Sequence, residues 1–283
     1  MTATGAMRLV LLILVTLIAF AANSILNRMA VGGGFADPGS FALIRVAAGA
    51  AMLMALARWH CRAPPLVSRR RIAGAGSLAL YMIGFSVGYL TLDAGIGALL
   101  LFGVVQVVIF AVSALRGAAP TPRQVLGATV ALVGLAVVLW PAGAWRVNLF
   151  GALCMIAAGV GWALYTLEGR SEPDALAGTA ANFVWALPPT ALALMFDGMP
   201  ATVEPQGILL AVISGAVTSG LGYALWYTVL PRISAVTAAI AMVAVPPIAV
   251  AGGILLLGES LTPRFAMGTV LVLGGILLAI RRA

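Results

Sequence analysis

Uncharged apolar runs dominate this chain, and their length is what most limits the folds open to it. Read in order they cover residues 9–27, 38–57, 72–92, 94–115, 124–145, 147–167, 175–196, 205–231, 233–258 and 265–280. A helix needs about 20 apolar residues to cross the hydrocarbon core of a bilayer. Nine runs reach that length, with one charge (Arg45) inside the second, and the tenth borrows flanking residues. Barrel strands would alternate apolar and polar with period two, and these runs do not. Of the 283 residues 63% are hydrophobic and only 8% charged, against about a quarter charged in a soluble domain. A soluble enzyme, a disordered chain and a coiled coil are excluded on that ground. The expected fold class is all-α integral membrane, with ten transmembrane helices. Arg8 ahead of the first run and the small Ala19 and Ala21 resemble a secretory leader. The run is read here as a retained helix.

The formal charge of +8 comes entirely from arginine, since the chain has no lysine. A nucleic-acid binder gathers its charges on one solvated stripe; here they punctuate the apolar runs, so no nucleic-acid partner is expected. With a cytoplasmic N-terminus, twelve arginines fall in inside segments and three in outside ones, leaving Arg45 within a span. The positive-inside rule therefore places both termini in the cytoplasm. Residues 58–71 would be inside, and residues 141–146 and 197–204 outside. Cys61 lies in a basic linker and Cys154 inside an apolar run, so no disulfide joins them. His60 has no companions at ligand spacing, which argues against a metal site. No cofactor is expected. Without lysine there is no Walker motif, and no ATPase partner is evident.

The chain also repeats itself. Residues 117–134 align without gaps to residues 258–275, and seven of eighteen positions are identical, including Thr121-Pro122-Arg123 and Thr262-Pro263-Arg264. A similar offset sets residues 20–28 against 162–170. The expected units are residues 1–145 and 146–283, five spans each. An odd number of spans makes the second unit enter the membrane from the opposite side. Such inverted repeats build alternating-access transporters, with the substrate near the midplane.

At this point the sequence resembles a known family. The five-plus-five pattern is similar to the EamA-type branch of the drug/metabolite transporter superfamily. So are Gly258-Glu259-Ser260-Leu261-Thr262-Pro263 with Gly268 and Gly275, Tyr227 ahead of Ser234-Ala235, and the Pro246-Pro247 pair. The resemblance implies ten helices, cytoplasmic termini, and export of small metabolites or amino acids through a central cavity. Arg45 matches the family's second-helix arginine. Ala118 departs from the pattern, standing where the first repeat usually carries an acid.

Polar and aromatic side chains deep in the spans are the substrate-binding candidates, because hydrocarbon disfavours polar groups without a role. They are Asn23, Tyr81, Phe85, Gln106, Trp162, Tyr165, Asn182, Ser219 and Tyr223. Tyr81, Phe85 and Tyr89, four apart, share one helix face. Tyr89 and Trp226 lie near helix ends, where an interfacial aromatic belt is the competing reading. Every acidic residue falls at a span end or in a loop. Arg45 is read as a structural cation paired with Asp93, in preference to a clamp on a substrate carboxylate.

The function expected is secondary transport: export of small organic metabolites, amino acids or related compounds, by alternating access through a central cavity, and no enzymatic activity. Efflux of cationic drugs or amines is the alternative, and a non-transporting membrane enzyme or receptor comes from another class. The partners expected are a small-molecule substrate and the lipid of the cell inner (plasma) membrane, with the chain a monomer or homodimer.

Overall fold

The structure, a computed structural model, describes residues 3–66, 68, 70–115, 121–139, 147–169, 172–196, 201–229, 232–233 and 241–280. These residues are helical, apart from their connections and a single antiparallel bridge between Ala36 and Val203. The helices are α1 (Ala3–Asn27, continued by a π-helical turn Arg28–Gly32), α2 (Pro38–Trp59), α3 (Arg70–Gly88), α4 (Ala94–Leu115), α5 (Pro122–Leu139), α6 (Leu149–Gly169), α7 (Ala175–Phe196), α8 (Pro205–Val229), α9 (Val245–Leu257) and α10 (Pro263–Ile280). Among the described residues six are long and apolar enough to cross a membrane, namely α1 with its extension, α2, α3, α4, α6 and α8. Apolar stretches of α5, α9 and α10 are shorter.

Two expected spans differ from the helices. The third was expected to run to residue 92, but α3 stops at Gly88, and the amides of Thr91 and Leu92 fold back onto the Gly88 carbonyl. The ninth was expected as one run from 233 to 258, whereas α9 begins at Val245, after a turn, with Pro246 and Pro247 in its opening turn. Proline lacks the amide hydrogen that a helix interior needs, so the first turn is where a pair of them fits. Residues 234–240, part of that expected span, residues 140–145 of the fifth, and the segment 141–146 expected outside all lie outside the described residues.

The repeated Thr-Pro-Arg triplet has a local cause. Thr121 and Gln124 form a reciprocal cap, each side chain accepting the other's backbone amide, and Pro122 opens α5. Thr262 accepts the amide of Phe265 ahead of Pro263, which opens α10. Both triplets are helix starts, with a capping hydroxyl and a proline at the first helical position.

Each helix turns one face inward. On α1 the buried side is Leu17, Phe20, Ala21, Ser24 and Asn27, while Val10, Leu14 and Ile18 are about half exposed. That period of three and four is an amphipathic helix with its outer face fit for lipid. The most extensive helix contacts come in pairs. Helix α3 lies on α6 as α8 lies on α1; α4 lies on α6 as α9 lies on α1; α3 lies on α7 as α8 lies on α2. Helices α2 and α7, α4 and α9, and α5 and α10 meet each other. The α5–α10 contact is closest where glycines face backbone. A Cβ on Gly127 would come 2.5 Å from the Gly275 carbonyl oxygen, and one on Gly134 would come 2.9 Å from that of Gly268. Positions 127 and 134 are those that the 141-residue offset matches to 268 and 275, so each glycine meets the counterpart of the other.

Candidate functional site

Arg45 sits at the centre of the bundle. Asp37 caps α2 by accepting the Ser40 amide at 2.8 Å, Pro38 opens the helix, and Arg45 follows two turns later. Helix α8 approaches it closely because Gly215 has no side chain: a Cβ there would run into the Arg45 carbonyl and the Ala48 methyl. The Arg45 side chain is fully buried. Its Nε donates to Ser219 Oγ at 3.1 Å and its Nη2 to Tyr81 Oη at 3.0 Å, while Nη1 has no hydrogen-bond partner. The guanidinium carbon lies 4.9 Å from the Phe85 ring centre and 5.3 Å from that of Tyr81, within cation–π range.

A chain of rings extends from this cation. Tyr81 packs on Phe85 at 5.2 Å and on Trp162 at 5.0 Å, and Trp162 packs on Tyr223 at 5.2 Å and Tyr165 at 5.7 Å. Phe20 stands edge-on to Trp162, Tyr223 and Trp226, and Phe183 stands edge-on to Tyr223. Helices α1, α3, α6, α7 and α8 thus meet through aromatic edges and faces, each contact contributing about 0.5–1.5 kcal/mol beyond its area. The Tyr223 hydroxyl is buried without a partner.

Asn23 joins α1 to α8. Its Oδ1 accepts from Thr218 at 2.6 Å, Ser214 at 2.9 Å and Ser219 at 3.3 Å. These three hydroxyls lie on Ile213–Leu221, where α8 widens into a π-helix. Such widened turns alter the helical register, and here the side chain at 214 and those four and five residues later meet at one point. Ser219 accepts from Arg45 and donates to Asn23, so the guanidinium is anchored to α1 through one hydroxyl.

Charged groups flank this cluster at both ends. At one end Arg28 reaches Asp93 at 3.5 Å and also donates to the Tyr89 and Leu90 carbonyls that finish α3. There the Glu259 carboxylate caps α4, accepting the Ala94 amide at 2.6 Å. Burial, and secondarily the nearby Asp93, raise the Glu259 carboxyl above the ordinary range, against the lowering effect of the Ala94 amide. Asp37 bonds the Thr202 amide at 3.0 Å on the same side, tying the α1–α2 and α7–α8 connections together. At the opposite end Arg71 pairs with Glu172 and donates to the Gly178 carbonyl and to Asn182 Oδ1. Arg62 meets Asp174 at 3.2 Å beside them. A small cleft here is lined by Arg71, Glu172, Thr179, Asn182 and Tyr227.

The structure places Tyr81, Phe85 and Ser219 against Arg45, extends from Tyr81 to Trp162 and from there to Tyr165 and Tyr223 through ring contacts, and links Asn23 to Arg45 through Ser219. Asn182 is bonded to Arg71 at the end cluster, next to Tyr165 and away from Arg45. Gln106 is half-buried on α4 and takes no part in the ring contacts or hydrogen bonds that define the cluster. The expected Arg45–Asp93 pair is corrected: Asp93 lies against Arg28 at the helix end, while Arg45, two turns deep, is bound by hydroxyls. Tyr89 and Trp226 are buried in the ring chain rather than in an interfacial belt. Phe183 and Ser214 were not anticipated. Phe183 reads as an ordinary core residue and Ser214 as a helix-packing serine until the fold brings them to Tyr223 and Asn23. Cys61 and Cys154 are free thiols. Among the described residues no group of His, Cys, Asp and Glu could hold a metal ion.

Comparison with known proteins agrees with this architecture. Residues 149–281 match the EamA-like transporter family. An uncharacterized protein of Pseudomonas aeruginosa is 43% identical over 96% of this chain and 94% of its own length. Proteins described as uncharacterized transporters in Clostridium kluyveri and Archaeoglobus fulgidus are 25% and 26% identical, over 93% and 74% of this chain and 90% and 76% of their own lengths. A crystal structure sharing 18% identity superposes with a TM-score of 0.64, over 94% of this chain and 96% of that one, and so has a similar fold. On these grounds the chain is a membrane protein of the EamA-like transporter family, within the drug/metabolite transporter superfamily.

Proposed function

We propose that the chain is a secondary transporter that exports small organic metabolites, amino acids or related compounds, by alternating access. Residues 1–145 and 146–283 form two five-helix repeats of opposite orientation, ten spanning helices in all, with the substrate between them. The reading is supported by the reciprocal packing of α1–α5 with α6–α10 and by the exchanged glycine contacts of α5 and α10. A two-fold axis pairs contacts in this reciprocal way. The distribution of arginine supports both termini in the cytoplasm, the Arg71 end inside and the Arg28 end outside, in the inner (plasma) membrane.

The observation that carries the functional reading is a buried cluster of aromatic and polar side chains around a cation with no ion pair among the described residues, between two charged ends. Trp162 is its hub, in contact with Phe20, Tyr81, Tyr165 and Tyr223. Solute counterflow in proteoliposomes, screened over amino acids, organic acids, polyamines, nucleosides and amines, tests it. At least one class should accumulate above empty liposomes, and Trp162→Ala should lower that uptake about tenfold or more. Uptake no greater than in empty liposomes for every class, from a monodisperse protein, would sink the reading.

A further inference from the structure

Resting on the transporter reading, we infer that Arg45 is the substrate's anion-binding group, and that the carried solute bears a carboxylate next to an apolar or aromatic portion. A guanidinium offers five N–H donors. Two are used, Nε on Ser219 and one of Nη2 on Tyr81, which leaves three, including both on Nη1. The two hydrogens of Nη1 and the remaining one of Nη2 are the donors a carboxylate would take up, and a guanidinium is suited to bind it with two hydrogen bonds.

The charge around this fork favours the same conclusion. Among the described residues the ion pairs are Arg28–Asp93, Arg62–Asp174 and Arg71–Glu172, and none involves Arg45. A fully buried cation with no carboxylate partner is costly in a bilayer interior. Helix-packing needs do not explain it, since an apolar side chain would fill the same space without that cost. An incoming carboxylate offsets the penalty by bringing the missing charge into a site already held in place: Ser219 and Tyr81 fix the guanidinium, and Asn23 fixes Ser219.

The surrounding rings decide what accompanies the carboxylate. Tyr81 joins Arg45 to Trp162 and Tyr223, so an apolar group attached to the bound carboxylate meets aromatic surface. The partnerless Tyr223 hydroxyl offers one further polar contact. Cationic drugs and amines are disfavoured. A fixed positive charge repels them, and the Phe85 and Tyr81 faces that would attract them already face the guanidinium.

The test uses isosteric probes on the purified full-length chain: phenylacetate and 3-phenylpropionate, the matching alcohols, and the matching amines. Thermal shift and inhibition of solute counterflow are measured for wild type, Arg45→Gln and Arg45→Lys. The expected result is that only the carboxylates stabilise wild type and compete, with apparent affinity about tenfold or more lower in Arg45→Gln. Arg45→Lys, which keeps the charge and loses the fork, should fall between them. If Arg45→Gln fails to fold, the wild-type preference for carboxylate over amine decides alone. Preference for amines or alcohols, or carboxylate binding equal in wild type and Arg45→Gln, overturns the inference while leaving transport intact. Absence of counterflow for every solute class removes the transporter reading, and this inference falls with it.

Discussion

At the scale of single residues, the network behind Arg45 shows what sequence can carry. Asn23 and Ser219 stand out because both are polar and well inside apolar runs, where an unpaired polar group is expensive. Their partners were not legible: Asn23 meets Ser214 and Ser219 across 191 and 196 residues, and only the close approach of α1 and α8 makes the bond. Asn23→Ala would remove the acceptor shared by three buried hydroxyls, of which Thr218 retains the Ser214 carbonyl, a loss of about 1–3 kcal/mol for the groups left unsatisfied. Its melting temperature and its transport should therefore fall together. In a double-mutant cycle, Asn23→Ala with Ser214→Ala should cost less than the sum of the single changes, since the second removes a donor that the first orphans. Strict additivity in thermal unfolding would show that the bond has no energetic weight. Arg45 teaches the converse. Its depth in α2 was readable from its distance to Pro38, but the choice of Asp93 as partner assumed that a buried arginine must find an acid. Two hydroxyls and two aromatic faces serve instead.

At the scale of helices, the apolar runs located most elements because hydrocarbon thickness sets helix length. The misses came where local chemistry overrides hydropathy. Residues 89–92 are apolar enough to extend α3, yet Arg28 takes the Tyr89 and Leu90 carbonyls and the chain turns. The α5–α10 pair makes the sharpest prediction at this scale. A Cβ at Gly275 would lie 2.5 Å from both the Ala131 nitrogen and the Gly127 oxygen, backbone atoms that cannot swing aside. Small residues at such crossings let membrane helices pack by van der Waals contact, where no hydrophobic effect drives them together. Gly275→Leu should separate the two helices and cost at least about 1–3 kcal/mol, the usual overpacking penalty. Gly274→Leu is the control, because nothing lies within 4 Å of a Cβ there. Melting followed by size-exclusion chromatography after heating should put Gly275→Leu well below wild type and Gly274→Leu near it. Equal loss in the two variants would mean that the pair is not tightly packed.

For the molecule as a whole, the ion pairs at the two ends of the buried cluster are of unequal strength. The Arg28–Asp93 pair is 3.5 Å long with side chains 25% and 34% exposed, and pairs of that kind contribute about 0–1 kcal/mol. Arg71 and Glu172 are 3% and 13% exposed, and Arg71 also holds Gly178 and Asn182. Breaking a buried pair on one side costs about 3–5 kcal/mol, because the remaining charge is stranded. The alternating access proposed above would open each end in turn, and the end with the weaker closure would open at the smaller cost. The expectation is that the Arg28 end is the one that breathes in this conformer, while the Arg71 end stays shut until Arg71 is released. Hydrogen exchange on protein in nanodiscs measures this directly. Wild type should exchange faster over residues 89–95 than over residues 172–178. Glu172→Gln should speed exchange over 172–178 by about a hundredfold or more, since the stranded Arg71 loses several kcal/mol of closure. Asp93→Asn should speed exchange over 89–95 by no more than about fivefold. Comparable responses in the two variants would mean that the ends are closed by equal free energies, and that the difference in burial between the two ion pairs does not set which side opens.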